Sequence, residues 1–276
     1  MKRIRIMVLF IVISIVIVSS FFVFSLKLQS TFYNIKTDKI DGKIRIVQIT
    51  DLHCDRFGKN QEKLKKEIEK LSPDLVVFTG DIHDNSKKDD DAIELLKWAG
   101  EKFSCFYVTG NHEYRRKESW KIKSAVKGFG LTVLDGKVET IEVNGNKINI
   151  CGIDDIDSDR LLKTQGYFEK QVKAVKENLN REYYSILLCH QPQIDSVHKE
   201  ISPDLVLSGH AHGGQWRLPG VQNGLFYPDE GFFPKYSAGL YELDNYKLIV
   251  SRGLAKTNTI VPRIFNRPEL VVIDIE

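Results

Sequence analysis

Five short apolar runs, each leading into an Asp, Asn or His, constrain this chain more than any other feature. Ile44 to Thr50 runs into Asp51 and His53, and Ser72 to Thr79 into Gly80 and Asp81. Phe103 to Thr109 runs into Gly110, Asn111 and His112, Tyr184 to Cys189 into His190, and Leu205 to Ser208 into Gly209, His210 and His212. Short apolar runs bounded by turn signals read as buried strands. Gly at a strand exit lets the backbone turn sharply, and layered α/β proteins bind ligands outside the carboxyl ends of their strands. The five tips are therefore expected to form one site.

Between the tips, Asn60 to Leu71 sets Leu64, Ile68 and Leu71 at helical spacing among Lys and Glu, an amphipathic helix. A second helix is expected from Ser86 to Gly100, with Asp89-Asp90-Asp91 suiting the dipole of its first turn, and a basic one from Arg115 to Lys127. Val138 to Val143 and Lys147 to Gly152 flank Asn144-Gly145, a hairpin signal. A helix over 165–179, a hairpin from Leu240 to Leu243 and Tyr246 to Ser251, and a last strand from Glu269 to Ile275 follow. Strand and helix alternation first and hairpins later imply a mixed α/β domain with helices outside its sheets. SPDLVVFTGD, beginning at Ser72, and SPDLVLSGH, beginning at Ser202, look alike, but two copies of a strand-and-turn solution are not a repeat array.

Met7 to Phe24 carries no charged residue and approaches the apolar length that spans a bilayer. Residues 1–28 are accordingly expected to be an uncleaved membrane anchor, 29–43 a polar connector and 44–276 the globular domain. The cationic Lys2, Arg3 and Arg5 place the N-terminus in the cytoplasm, so the expected location is the cell membrane, single-pass, with the domain outside. Without those three the chain holds 37 basic and 37 acidic residues, which gives no signal for nucleic acid. Cys54, Cys105, Cys151 and Cys189 show no Cys-x-x-Cys spacing and read as small buried hydrophobes.

Of seven histidines, five stand at the strand tips: His53, His112, His190, His210 and His212. Together with Asp51, Asp81 and Asn111 they form an imidazole, carboxylate and carboxamide set without thiolate, suited to Mn, Fe or Zn and too large for one ion. Two divalent ions fit better. Such a pair polarises a phosphoryl oxygen and makes a bound water nucleophilic near neutral pH.

Asp51-x-His53, Gly80-Asp81-x-x-Asp84, Gly110-Asn111-His112-Glu113, His190 and Gly209-His210-Ala211-His212 resemble, in order, the five blocks of the calcineurin-like metallophosphoesterase superfamily. His212-Gly213-Gly214-Gln215-Trp216-Arg217-Leu218-Pro219, and Arg252-Gly253-Leu254 through Arg267-Pro268-Glu269, resemble its membrane-associated bacterial branch. The resemblance implies a four-layer αββα sandwich of two mixed β-sheets. It implies that Asp51, His53, Asp81 and His212 hold one ion, while Asp81, Asn111, His190 and His210 hold the other. His112, oriented by Asp84, then serves the leaving oxygen. Glu113 supports the loop, and His83 and His198 are structural.

One departure concerns the substrate. Protein phosphatases of the superfamily carry a phosphate-binding Arg after the second Asp of the Gly-Asp block, where this chain has Asn85. A phosphodiester or pyrophosphate substrate fits better than a phosphoprotein. The other readings are a broad phosphomonoesterase or nuclease, and a non-catalytic metal-binding scaffold for a protein partner. The aromatic stretch Gln215 to Tyr236 reads either as ordinary loop packing or as an apolar lip for a lipid-linked substrate.

Overall fold

The computed structural model describes residues 23–116, 118–227, 230–256 and 261–276. Its strands, in chain order, are β1 (Gln29–Ile35), β2 (Ile44–Ile49), β3 (Leu75–Thr79), β4 (Ser104–Val108), β5 (Thr132–Val133), β6 (Lys137–Val143) and β7 (Asn146–Gly152). They continue as β8 (Tyr184–Leu188), β9 (Leu205–Ser208), β10 (Phe226–Tyr227), β11 (Gly231–Phe232), β12 (Gly239–Glu242), β13 (Lys247–Val250) and β14 (Glu269–Ile275). The helices are α1 (Glu62–Leu71), α2 (Asp90–Lys102), α3 (Asn111–Arg115), α4 (Ser119–Gly128), α5 (Ser158–Leu162), α6 (Tyr167–Asn178) and α7 (Asp195–Ile201).

Two mixed six-stranded sheets result. The first has the order β1-β14-β2-β3-β4-β5 and the second β12-β13-β9-β8-β7-β6. In each, the strands that carry the expected site run parallel: β2, β3 and β4 in one, β8 and β9 in the other. Ile46, Val77, Phe106 and Val108 of the first sheet bury against Ile150, Ile186, Leu188 and Leu207 of the second. The first sheet's other face packs on Leu64 and Ile68 of α1, Leu95 and Leu96 of α2 and Val126 of α4. The second sheet's outer face packs on Phe168, Val172 and Val175 of α6 and Ile201 of α7. Apolar strands buried on both faces are what parallel sheets between layers require.

The similar segments at Ser72 and Ser202 perform one mechanical task. Each Ser ends a helix in the left-handed region, at φ 48° and 53°, and each following Asp braces the neighbouring strand. Asp74 accepts from the Arg45 amide at 2.7 Å, and Asp204 from the Ser185 amide at 2.8 Å.

Several expectations are corrected. Gln29–Ile35 is an edge strand paired in parallel with β14, where the sequence reads as a polar connector, because an edge strand needs few apolar residues. The basic helix expected from Arg115 to Lys127 begins only at Ser119, as α4, and Arg115 instead ends the short α3. The single-pass membrane location is not supported: among the described residues no helix is long and apolar enough to cross a membrane. Most of the Met7 to Phe24 segment on which it rested lies outside the described residues. All four cysteines are buried and free.

Candidate metal centre

The ends of β2, β3, β4, β8 and β9 meet in one crevice, and the turns there are tight. Asp51, His53, Asp81, His210 and His212 all have positive φ, between 46° and 68°, a conformation that costs about 1–2 kcal/mol for each side-chain-bearing residue. Backbone bonds hold the turns in register: Asp51 N–H donates to Gly80 O at 3.0 Å and His53 N–H to Asp81 O at 3.0 Å. Gly80, at φ 87°, leaves no room for a side chain, since a Cβ there would lie 2.6 Å from the Gly110 nitrogen.

Glu113 ties the two Gly-containing turns together. Its buried carboxylate accepts from the amides of Gly110 at 2.8 Å, Asp81 at 2.9 Å, Ile82 at 2.9 Å and His83 at 3.0 Å, and from the Tyr107 hydroxyl at 3.1 Å. All these bonds go to backbone amides and one hydroxyl, so Glu113 shapes the turns that carry Asp81 and Asn111.

Among the described residues four groups of side chains bring one donor atom each within 4.8 Å of one another, and three of them lie at the strand tips: Asp51, His53 and His212; Asp81, His190 and His210; and His53, Asp81 and His112; the fourth is Cys54, His83 and Asp89. Asp81 Oδ2 lies 3.2 Å from His190 Nε2 and 3.6 Å from His53 Nε2. Asp51 Oδ1 lies 3.7 Å from His212 Nε2. Asn111 joins them, with its amide oxygen 3.3 Å from both Asp81 Oδ2 and His210 Nδ1.

The orientation of these groups fits a cation. His190 Nδ1–H donates to the Thr79 carbonyl at 2.8 Å, which leaves the Nε2 lone pair aimed at Asp81. His53 Nδ1 lies 3.2 Å from Asp84 Oδ2, and its buried Nε2 has no hydrogen-bond partner. The Asn111 amide has two settings: with NH2 inward it donates to Asp81 Oδ2 and His210 Nδ1 while its oxygen accepts from Arg115, and with its oxygen inward it offers a lone pair to an ion. Acceptor atoms converging in a buried site are costly unless a positive charge, a proton or a metal ion, sits among them. The titration behaviour agrees. Burial alone would raise the Asp81 carboxyl, but His190, His53 and His112 hold it well below the usual range. Burial opposes protonation of His190, yet Asp81, Asp51 and Asp155 raise it well above the ordinary imidazole value.

His112 stands at the edge of the cluster, more accessible than the buried His53, His190, His210 and His212. Asp84 Oδ2 reaches its Nδ1 at 3.5 Å, but lies nearer to His53 Nδ1. Burial lowers the His112 pKa, and Asp84 and Asp81 more than offset this, so the net shift is upward. His83 pairs with Asp89 beside Cys54, outside the Asp81 group. His198 lies within the second sheet's outer core, 3.2 Å from Cys189 Sγ.

Two supports were not read from the sequence. Arg263, 5% exposed, brings Nη2 to 3.4 Å from His212 Nδ1 and donates to the Arg252 carbonyl at 2.8 Å. Gly253, at φ 67°, lets the chain pass Asp51 so closely that a Cβ would lie 2.5 Å from the Asp51 Cβ. The Arg252-Gly253-Leu254 run was the available signal, without its reason. In the aromatic stretch, Tyr227 packs edge-on to His210 at 5.2 Å, and Phe226, Phe232 and Phe233 extend outward, Phe233 to 77% exposure.

The calcineurin-like phosphoesterase family pattern matches residues 44–214, more than half of the chain and all five strand tips. The chain belongs to this family. Among metallophosphoesterase relatives, the protein named uncharacterized metallophosphoesterase YkuE from Bacillus subtilis (strain 168) is 30% identical over 260 residues, covering 90% of this chain and 86% of its own. An uncharacterized metallophosphoesterase of Aquifex aeolicus (strain VF5) is 32% identical over 253 residues, covering 88% and 90%. The fold is similar to that of TT1561 of Thermus thermophilus, with a TM-score of 0.53 at 14% identity, over 78% of this chain and 92% of that one.

Proposed function

We propose that the crevice holds two divalent ions of the Mn, Zn or Fe type and hydrolyses phosphodiester or pyrophosphate bonds. The observation that carries this reading is the convergence of Asp51, His53, Asp81, Asn111, His190, His210 and His212 on one buried crevice, with the buried His53 Nε2 left without a hydrogen-bond partner. Asp51, His53, Asp81 and His212 would hold one ion, and Asp81, Asn111, His190 and His210 the other. Bound there, the ions supply Lewis-acid polarisation of a phosphoryl oxygen and acidify a water to near neutrality.

The chain's own residues do the rest. The Thr79 carbonyl and Asp84 hold His190 and His53 in ligating tautomers. His112 donates to the leaving oxygen from the accessible edge, with Asp84 favouring its protonated form. Asn85 leaves its position without a fixed cation for a dianionic phosphate, which supports diesters and pyrophosphates over phosphoproteins. The exposed aromatics beyond Tyr227 suit an apolar group on the substrate.

The test is elemental analysis of purified protein with turnover of bis-p-nitrophenyl phosphate, p-nitrophenyl phosphate and UDP-glucose after metal loading. Two ions per chain and faster hydrolysis of a diester or pyrophosphate than of the monoester are expected. One ion, or a preference for the monoester, overturns the reading.

A further inference from the structure

Two adjacent arginines leave α3 in different conditions. Arg116 is engaged by the Asp84 carbonyl at 3.0 Å and by the Asp89 carboxylate. Arg115 is exposed, and no carboxylate pairs with it among the described residues. Its Nη1 lies 3.1 Å from His112 Nε2. Its other near neighbour is the Asn111 amide, with Nη2 at 2.9 Å and Nη1 at 3.3 Å.

That amide cannot serve both sides at once. When its oxygen turns toward Asp81 and His210, as a ligand must, its NH2 meets Arg115 donor to donor. The guanidinium then has five donors, with the imidazole nitrogen of neutral His112 as one acceptor and none when His112 is protonated. A guanidinium in this condition, beside the residue that faces the leaving oxygen, is a fork for an anion.

We infer that Arg115 binds the departing phosphate of a pyrophosphate substrate, so that the site favours pyrophosphate over diester linkages. This rests on the reading above and narrows its substrate class. In the reaction, the water oxygen bonds to one phosphorus, the bridging P–O bond breaks, and its electron pair leaves on the second phosphate. Both water protons go to solvent or to the product phosphates. A departing phosphate is already a stable anion, so it needs charge stabilisation more than a proton. A departing alkoxide needs the proton, which is the task of His112. Arg115 and His112 therefore serve different leaving groups.

The experiment compares Arg115→Gln and Arg115→Lys with wild type, metal-loaded, on UDP-glucose and on an alkyl phosphodiester, together with calorimetric binding of UDP-glucose to metal-loaded protein at low temperature. A charged hydrogen-bond donor lost from an anion changes the rate ratio by about 10- to 100-fold. Arg115→Gln is expected to lower kcat/KM for UDP-glucose relative to the diester by that factor, with Arg115→Lys recovering part of it. An unchanged ratio overturns the assignment. If wild type hydrolyses neither substrate, the functional reading fails by itself, and calorimetry judges Arg115 alone. Weaker UDP-glucose binding in Arg115→Gln then supports the fork, and equal binding or none in wild type refutes it.

Discussion

His190 and His198 are both fully buried and follow the same strand, β8, yet their surroundings drive them in opposite directions. His190 enters the crevice, where three carboxylates overcome burial and favour positive charge. His198 enters the outer core between Cys189 and Tyr246, where burial pushes its pKa down to about 4 against only Asp195. Burial therefore does not by itself mark a residue of the crevice. What distinguishes the crevice is the excess of inward-facing acceptors, a field that attracts a proton or an ion.

Removing the source of that field should have the largest effect. Asp81→Asn takes away the carboxylate nearest His190, which is also the proposed shared ligand, and should lower metal content and turnover together. Losing ion stabilisation worth several kcal/mol corresponds to about 10³-fold or more in rate. Normal stoichiometry and rate in the variant would break the contrast between the two histidines.

His112→Ala probes the crevice edge without touching the field at its centre. Turnover of an alkyl diester should fall by about 10²–10⁴-fold with both ions retained. The fall should be smaller for a p-nitrophenyl diester, whose leaving group needs little protonation. Metal loss in this variant, read by elemental analysis, would move His112 into the ligand set.

The outer-core histidine makes a prediction about acid stability. Unfolded, His198 binds a proton near its ordinary pKa of 6.5; folded, it does so only near about 4. The unfolded state therefore takes up more protons in that window. The contribution of neutral His198 is fully present above pH 6.5 and is lost as pH falls toward 4, by up to about 3 kcal/mol. Urea denaturation at pH 7 and pH 4.5 should show a smaller acid loss for His198→Gln than for wild type. An equal loss would mean that His198 is not held neutral.

The smallest effect is expected at Glu113, which shapes the crevice from behind. Glu113→Gln replaces one acceptor oxygen by a donor facing amides, a cost of about 1–3 kcal/mol. Thermal melts with and without chelator separate this from ion binding. The destabilisation should persist in chelator, because the carboxylate holds backbone rather than metal.

Legibility in the sequence followed locality. The strand tips were readable because a buried strand, a Gly and the next polar residue are contiguous, as in Thr79-Gly80-Asp81. The strand β1 was not, because its partner β14 lies at the far end of the chain and its edge position leaves Phe32 57% exposed. Helix α7 was also missed, since seven residues give too few turns for periodicity to show.

The amino-acid sequence by itself determined which residues stand at the five strand ends and the chemical type of the set they make. It did so because strand, turn and polar tip residue follow one another along the chain. Only the tertiary structure decided how those residues face one another. The choice of His53 and His112 around one Asp84 oxygen, the approach of Arg263 to His212 and the passage of Gly253 beside Asp51 all join distant segments. So does the contrast between Arg115 and Arg116, neighbours in sequence with equal charge. One meets Asp89 across the fold and the other does not, and no local pattern encodes which carboxylate a side chain will reach.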